Sequence, residues 1–317
     1  MTFSLTVLGN SSALPTSKRF PSACVLNIHE RFFLIDCGEG TQIQLRKFKI
    51  KLGKINHIFI SHLHGDHVFG LFGLISSFNL IGRKSDLHIY ANKEIESILG
   101  NHFKHFDKNR EYKIIYHHLI YGKTEQLYED KNLIISSFPL NHRIPAHGFL
   151  FNEKKRPNHI RKEMIEKYQV PIRCINDIKF GADFTTEKGE IIKNNILTFP
   201  SYKSRSFAFC SDTKYDELNV KYIKEYDLLW HEATFLSDLK HRAEETFHST
   251  AEDAAKIAEL ANVKYLILSH FSSRYKEYGI IKSEAEKFFK NIYIAEDGKE
   301  FNVNTDGTLT IKTISNN

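Results

Sequence analysis

The chain has 317 residues, of which 41% are hydrophobic and 26% are charged. This balance is typical of a folded protein and excludes an intrinsically disordered chain. No apolar run reaches the roughly 18 residues that a membrane span needs, and the first residues lack the pattern of a signal peptide. The four cysteines form no C-x-x-C pair. We therefore expect reduced thiols, a cytoplasmic protein and no membrane partner.

Short apolar and β-branched segments recur along the chain and predict strands. They lie at residues 3–8, 23–28, 32–35, 55–60, 87–90, 134–138, 206–209, 228–230 and 265–268. Helical patterns occur between them: Ser249-Thr-Ala-Glu252 has the spacing of a capping box, and residues 283–289 predict a further helix. Strands interleaved with helices indicate an α/β architecture. We find no linker or short repeat, so we expect one domain over residues 1–317.

One stretch departs from this alternation. Residues 152–195 are charged, irregular and contain Pro157 and Pro171, which predicts an arm outside the core. Residues 143–173 hold eight Lys/Arg against three Glu, a local charge of +5 in a chain of net charge +6. Such a basic cluster suits a phosphate-rich partner. On charge alone, a solvated lysine-rich surface is the simpler interpretation.

Four predicted strands are each followed by side chains that bind metals. Ligands placed just past strand ends converge at one edge of a sheet, where α/β proteins place their active sites. Imidazole and carboxylate groups are the ligands that zinc and similar ions prefer, and such a cluster would be costly without a cation. The sequence therefore predicts a divalent metal site. Its candidate ligands are His62, His64, Asp66, His67, His142, Asp212 and His270.

The six-residue pattern H-x-H-x-D-H at residues 62–67 is the metal motif of the metallo-β-lactamase superfamily. The flanking sequence resembles, more narrowly, the short form of the ribonuclease Z family. The H-E-A-T, H-S-T and S-S-R-Y segments argue for this family, and the resemblance covers nearly the whole chain except residues 152–195. The segments that carry it are Leu8-Gly-Asn-Ser-Ser-Ala-Leu-Pro15, Leu34-Ile-Asp-Cys-Gly-Glu-Gly-Thr-Gln42, residues 61–73, His231-Glu-Ala-Thr-Phe235, Phe247-His-Ser-Thr-Ala251 and Leu268-Ser-His-Phe-Ser-Ser-Arg-Tyr275.

The resemblance implies an αββα sandwich with a projecting arm and two divalent metal ions at one edge. Zn²⁺ is the expected metal, and Mn²⁺ also suits these ligands. One ion would be held by three imidazoles and the other by two imidazoles and a carboxylate, with one aspartate bridging the pair. The implied sets are His62, His64 and His142; Asp66, His67 and His270; and Asp212 as the bridge.

The resemblance also implies the reaction. Metal-activated water would attack a phosphodiester and remove the 3′ trailer of precursor tRNA, leaving a 3′-hydroxyl on the tRNA and a 5′-phosphate on the trailer. Asp66 would orient the water and accept its proton, and His248 is the candidate acid for the leaving oxygen. Arg274 would contact a substrate phosphate, with a surface salt bridge as the alternative. Glu232 either orients His248 or a metal ligand, or is structural, and we expect Asp36 to shape the site through loop hydrogen bonds.

In this family the arm clamps tRNA and the subunits form a homodimer, so precursor tRNA and a second copy are the expected partners. Two residue patterns depart from the family. Ser211 replaces the usual glycine before the bridging aspartate, which we expect to have little effect. Residues 170–181 lack the family's Gly-Pro pair, so the arm would be built differently.

Two other functions share these ligands. A hydrolase of a small phosphodiester or other ester would show no salt-dependent tRNA binding, whereas RNA affinity falls steeply with salt. A non-catalytic RNA-binding protein would be indifferent to Asp66→Ala.

Overall fold

The computed structural model describes residues 1–106 and 110–314. The strands are β1 (Phe3–Gly9), β2 (Ala23–Ile28), β3 (Arg31–Ile35), β4 (Ile55–Phe59), β5 (Leu87–Ala91), β6 (Ile114–His118), β7 (Glu125–Glu129), β8 (Leu133–Leu140), β9 (Ala146–Glu153), β10 (His159–Ile160), β11 (Phe184–Thr185), β12 (Ile191–Ile192), β13 (Thr198–Phe199), β14 (Ser206–Cys210), β15 (Leu228–Glu232), β16 (Tyr265–Ser269), β17 (Ile292–Ile294), β18 (Lys299–Val303) and β19 (Leu309–Thr313).

The helices are α1 (Thr41–Lys47), α2 (Gly65–Val68), α3 (Gly70–Leu80), α4 (Glu94–Phe106), α5 (Lys162–Lys167), α6 (Ile172–Lys179), α7 (Asn194–Leu197), α8 (Val220–Ile223), α9 (Lys240–Thr246), α10 (Ala251–Leu260) and α11 (Gly279–Ala285). Short 3₁₀ turns lie at Leu52–Lys54, Glu217–Asn219 and Ser237–Leu239. Among the residues described, no helix combines the length and apolarity needed to cross a membrane.

Two large mixed sheets form the body of the molecule. The first has the strand order β19-β18-β1-β2-β3-β4-β5-β6, and the second has the order β17-β16-β15-β14-β9-β8-β7. Strands β3 to β6 run parallel to one another, as do β14 to β17. Parallel strands need crossover connections, which the chain supplies largely as helices. The carboxyl ends of each parallel set consequently lie along one edge of its sheet.

The two sheets pack face to face through a layer of aromatic side chains. Phe59 of β4 packs against Phe149 and Phe151 of β9, with ring centroids 5.4 and 5.6 Å apart. A second apolar cluster joins the outer face of the first sheet to α1, α3 and α4, and a third joins the outer face of the second sheet to α8, α10 and α11. This helix–sheet–sheet–helix layering is the predicted αββα sandwich.

The segment between β9 and β14 leaves both sheets. We call residues 154–205 the arm; it includes α5, α6, α7 and two small sheets, β10 with β13 and β11 with β12. Val170, Ile178, Ile192 and Leu197 form a small buried cluster of its own. The predicted range 152–195 ended inside α7, because the return strand to the sheet begins only at Ser206.

The predicted strands all occur, but two helix boundaries were wrong. Helix α10 is capped by Thr250, whose hydroxyl accepts from the Asp253 amide, while the Asp253 carboxylate accepts from the Thr250 amide. The sequence pattern had indicated a capping box from Ser249 to Glu252. Ser249 instead donates its hydroxyl to the Thr213 carbonyl. The helix predicted at 283–289 runs from Gly279 to Ala285, since its apolar residue Ile281 packs one turn earlier than expected.

Candidate metal centre and active site

The loop after β4 supplies four of the candidate ligands. His62 and His64 lie in the extended segment before α2, and Asp66 and His67 lie in the first turn of that helix. A Cβ at Gly65 would overlap the Phe69 ring in its present position, so glycine lets this ring pack close to the loop. The tight entry into α2 turns all four side chains toward the same edge of the first sheet.

The remaining ligands come from the second sheet. His142 follows β8, Asp212 follows β14 and His270 follows β16 directly, with a left-handed φ of 60°. All three are buried. The two sheets therefore bring together, at one edge of the sandwich, the seven residues that the sequence predicted as ligands.

The first group of ligand atoms contains three imidazoles and one carboxylate oxygen. His64 Nδ1 lies 2.9 Å from His62 Nε2 and 3.2 Å from His142 Nε2. Asp212 Oδ2 lies 3.6 Å from His62 Nε2 and 3.9 Å from His142 Nε2. These four atoms lie within 4.8 Å of one another, a spacing that can surround one divalent ion.

The second group contains two imidazoles and two carboxylates. Asp66 Oδ2 lies 3.6 Å from His67 Nε2 and 3.3 Å from His270 Nε2. Asp212 Oδ1 lies 3.5 Å from His67 Nε2 and 3.3 Å from His270 Nε2. Asp212 thus directs one carboxylate oxygen toward each group, which is the arrangement expected of a bridging ligand.

The chemistry of these atoms fits metal ions. Within the described chain, the buried atoms His67 Nε2 and Asp212 Oδ1 have no hydrogen-bond partner although they face each other. Burial alone would lower the pKa of His67, yet Asp212, Asp66 and Asp36 raise it well above its ordinary value. The cluster therefore requires positive charge between its carboxylates, and two unsatisfied buried atoms mark where a cation would be held.

The first group is in the protonation state that metals require. Burial lowers the pKa of His62, His64 and His142, so these imidazoles are neutral at pH 7. Most ligand imidazoles also bond through their second nitrogen, which fixes the ring orientation. The pairs are His62 Nδ1 with Ser61 Oγ (3.0 Å), His67 Nδ1 with Asp36 Oδ2 (2.7 Å), His142 Nδ1 with the Phe247 carbonyl (2.8 Å) and His270 Nδ1 with Thr234 Oγ1 (2.9 Å).

Asp36 and Glu232 organise the site from behind the ligands. Asp36 accepts hydrogen bonds from the amide and hydroxyl of Ser61 and from His67, which agrees with the loop-shaping role expected from the sequence. Glu232, which is fully buried, accepts from the Thr213 amide and the Thr234 hydroxyl. Its Oε1 also lies 2.9 Å from His248 Nδ1, so Glu232 orients His248 as well as supporting the loops.

His248 lies beside the ligand groups without belonging to the two principal sets. Its Nδ1 is 3.9 Å from Asp212 Oδ2 and its ring stacks on His270 with centroids 5.4 Å apart. Burial would lower the pKa of His248, but the Glu232 carboxylate raises it to about 9. The imidazole therefore carries a proton at neutral pH and suits the role of acid.

A cleft of about 530 Å³ opens onto these groups. Its walls combine ligands with the segment that follows β1. The lining residues are Ser12, Ala13, Leu14, Pro15, Pro21, Glu39, His64, Gly65, Asp66, Phe69, Asp212, His248 and His270. Arg274 is exposed, donates to Ser272 Oγ and places its guanidinium 5.1 Å from the centroid of Phe235; the alternative interpretation as a salt bridge finds no support in the described contacts.

The sequence reasoning missed Ala13. Its amide donates to Asp66 Oδ2 at 2.8 Å, and its φ of 59° lies in the left-handed region. A backbone N–H directed at the candidate base holds that carboxylate in place and competes for the same oxygen that faces His270. The segment around Ala13 had been noted only as part of the family resemblance, because a backbone donor leaves no side-chain signal in a sequence.

The layering and the buried His/Asp edge define a class: metal-binding hydrolases with the metallo-β-lactamase fold. A protein so described, YhfI from Bacillus subtilis, superposes with a TM-score of 0.67 at 16% identity, over 95% of this chain and 100% of that one. At this identity the likeness shows the fold alone. A family model named Anti-Pycsar protein Apyc1 matches residues 3–156, which include five of the seven candidate ligands but little of the arm.

Closer relatives identify the family. A ribonuclease Z from Phocaeicola vulgatus is 48% identical over 93% of this chain and 96% of its own. The crystal structure of human tRNase Z, short form, superposes with a TM-score of 0.68 at 27% identity, over 94% of this chain and 98% of that chain. The chain belongs to the ribonuclease Z family. The predicted family and fold are confirmed.

Proposed function

We propose that this chain removes the 3′ trailer of precursor tRNA, leaving a 3′-hydroxyl on the tRNA and a 5′-phosphate on the trailer. The observation that carries the proposal is the division of Asp212 between two groups of ligand atoms, in a chain whose relatives are ribonucleases Z. A bridged pair of metals suits in-line displacement at a phosphodiester.

We assign one divalent ion to the first ligand group and one to the second, with Zn²⁺ as the metal and Mn²⁺ as the alternative. When bound, such ions supply an activated water and neutralise charge on the phosphoryl oxygens. Asp66, whose Oδ2 is held by the Ala13 amide, would accept the proton of the attacking water. His248, whose Nδ1 is engaged by Glu232, donates from Nε2 to the leaving oxygen.

The arm is the proposed tRNA-binding element. It carries exposed cations on two of its helices: Lys162 and Lys167 on α5, and Arg173 on α6. A basic surface distant from the metal centre would hold the folded body of tRNA, while the cleft holds only the strand to be cut. Arg274 is the proposed phosphate contact at the cleft, since its guanidinium is exposed beside Phe235.

We also propose a homodimer in the cytoplasm. Large apolar side chains are exposed on and near α3 and α4, including Phe69, Leu80 (85% exposed), Ile81, Ile98 and Phe106 (74% exposed). Apolar patches of this kind commonly mark interfaces between subunits. Sedimentation equilibrium tests this directly: the unaltered chain is expected at twice its monomer mass, and Leu80→Glu at the monomer mass. A monomeric unaltered chain would contradict the assignment.

Product mapping tests the proposed reaction. The metal-loaded protein is incubated with a precursor tRNA that carries a 3′ trailer, and both product ends are sequenced, with Asp66→Ala in parallel. We expect one cut at the end of the acceptor strand, lost in Asp66→Ala. If the RNA stayed intact while bis(p-nitrophenyl) phosphate was hydrolysed, a small-phosphodiester hydrolase would replace the proposal. If both substrates stayed intact under Zn²⁺ and Mn²⁺, the catalytic assignment would be wrong.

Metal analysis of the protein tests the cofactor assignment separately. Plasma mass spectrometry on dialysed protein should give two metal ions per chain for the unaltered protein, with zinc predominating. Asp212→Ala is expected to retain fewer than one, because it removes an oxygen from each group. One tightly held ion in both proteins would contradict the bridged pair.

A further inference from the structure

Two cations border the turn that precedes His248. Lys214 Nζ lies 4.1 Å from the centroid of the Phe247 ring. Arg143 Nη2 lies 3.5 Å from the Thr246 carbonyl. The Phe247 carbonyl in turn accepts from His142 Nδ1, so both cations lie on the His142 side of the metal centre.

Hydrogen bonds fix the position of the backbone segment that carries Lys214. Lys214 comes two residues after Asp212, and its amide donates to the Asn141 carbonyl at 2.9 Å. The preceding Thr213 is held by Glu232 through its amide and by Ser249 through its carbonyl. Arg143 directly follows the candidate ligand His142 in the chain. Neither cation belongs to the arm, although Arg143 is one of the eight basic residues counted between 143 and 173.

Neither cation is neutralised within the described chain: Lys214 contacts an aromatic face and Arg143 a carbonyl, and neither forms an ion pair there. Lys240 on α9, the helix that leads to this turn, is by contrast paired with Asp253. An ammonium resting on a ring keeps its hydrogen-bond donors for a ligand. Lys214 and Arg143 have no ion-pair partner among the described residues and lie beside a site suited to phosphodiester chemistry, which indicates that they contact an anionic ligand.

A second cation–ring contact lies near His248. Phe235 lies 6.2 Å from the His248 ring, and Arg274 rests on Phe235. Phe235 and Phe247, the residue before His248, thus each carry a cation.

We propose that Lys214 and Arg143 form a phosphate-binding pair that holds the RNA strand on the His142 side of the metal centre. The inference rests on the proposed function and adds a contact to it. Because the pair acts on phosphates, it contributes to affinity for any sequence and gives binding a steeper dependence on salt.

Binding of precursor tRNA to chelator-treated protein tests the pair without any turnover. Fluorescence anisotropy is recorded between 50 and 300 mM KCl, and log Kd is plotted against log salt concentration. Each of Lys214→Gln and Arg143→Gln is expected to reduce the slope by about 1, and the double variant by about 2. Lys214→Arg should keep the slope. Lys221→Gln is the matched control, because its ammonium also rests on a ring, that of Tyr222 at 4.7 Å.

Unchanged slopes in both single variants would overturn the pair. A slope reduced equally by Lys221→Gln would also overturn it, since any surface lysine would then suffice. If the unaltered protein bound tRNA without salt dependence, the proposed function itself would fail, which is a different result from loss of the pair alone. Thermal midpoints of all variants within about 2 °C of the unaltered protein show that the slopes report contacts.

Discussion

The metal centre and the arm are stabilised in opposite ways. At the metal centre the ligands follow largely buried strands of five to eight residues in both sheets, and most imidazoles are fixed by a second hydrogen bond. The arm has short helices, two-residue strands and a buried cluster of four side chains, with Ile172 left 87% exposed. Chemistry requires fixed geometry, whereas holding a large substrate tolerates a lightly packed element.

A buried ion pair joins the two regions. Glu153 ends β9 and Arg205 precedes β14, where the arm leaves and re-enters the sheet. Arg205 donates to both carboxylate oxygens of Glu153 and to the carbonyls of Met1 and Val303. His29, in the turn between β2 and β3, also contacts Glu153. The root of the arm is thus tied to the first sheet as well as the second.

The largest effect is expected at the bridge. Asp212→Ala should lower the rate of precursor tRNA cleavage by on the order of 1000-fold, because charge stabilisation by the metals is worth several kcal/mol. Single-turnover kinetics measures it. Ser211→Gly is the control and should change the rate less than about threefold, since it installs the residue that the family usually has. If Asp212→Ala cleaved precursor tRNA at nearly the rate of the unaltered protein, Asp212 would not be a bridging ligand.

Breaking the arm root should mainly affect stability. Arg205→Met leaves the buried Glu153 carboxylate with His29 as its remaining charged neighbour, and loss of one partner of a buried pair typically costs about 3–5 kcal/mol. Urea unfolding should show this loss, and the double variant Glu153→Gln with Arg205→Met should recover part of it. If Arg205→Met had the same urea unfolding midpoint as the unaltered protein, the Glu153–Arg205 pair would not stabilise the junction between the arm and the sheets.

Glu232→Gln should slow cleavage about 10- to 100-fold, the usual cost of removing a partner behind a ligand or catalytic group. The amide keeps the shape but loses the charge that holds the proton on His248. The effect should appear in kcat rather than KM. Glu244→Gln, an exposed change on α9, is the control. Equal rates for the two variants would make Glu232 a structural residue only.

The smallest effect is expected from Asp297, a partly buried residue in the loop between β17 and β18. Burial raises the pKa of Asp297 to about 7, and Gln44 donates to its Oδ2. The folded chain therefore binds a proton more tightly than the unfolded chain, whose aspartate titrates near 4. This contribution to stability is present at acid pH and is lost as pH rises toward 7. Asp297→Asn should gain stability relative to the unaltered chain between pH 4 and 8, measured by thermal midpoints; a constant difference would contradict the shift.

The metal edge was accessible to sequence reasoning for a physical reason. His62 to His67 form a local pattern, and His142, Asp212 and His270 each follow a predictable strand. The role of Ala13 is carried by the backbone, and Lys214 and Arg143 meet only through Phe247 and Thr246, far along the chain. Such contacts leave no periodic or local signal. The internal elements of the arm were also missed, because strands of two residues are too short to show a pattern.

Replacing the arm tests the division between chemistry and substrate binding most directly. Asn152 pairs with Ser206, and the Glu153 amide donates to the Arg205 carbonyl, so residues 154–204 can be replaced by an Asn-Gly turn that closes a hairpin. KM is then measured for precursor tRNA and for bis(p-nitrophenyl) phosphate. We predict that KM for the tRNA rises at least about tenfold more than KM for the small phosphodiester. An equal change for both substrates would contradict the assignment of tRNA binding to the arm.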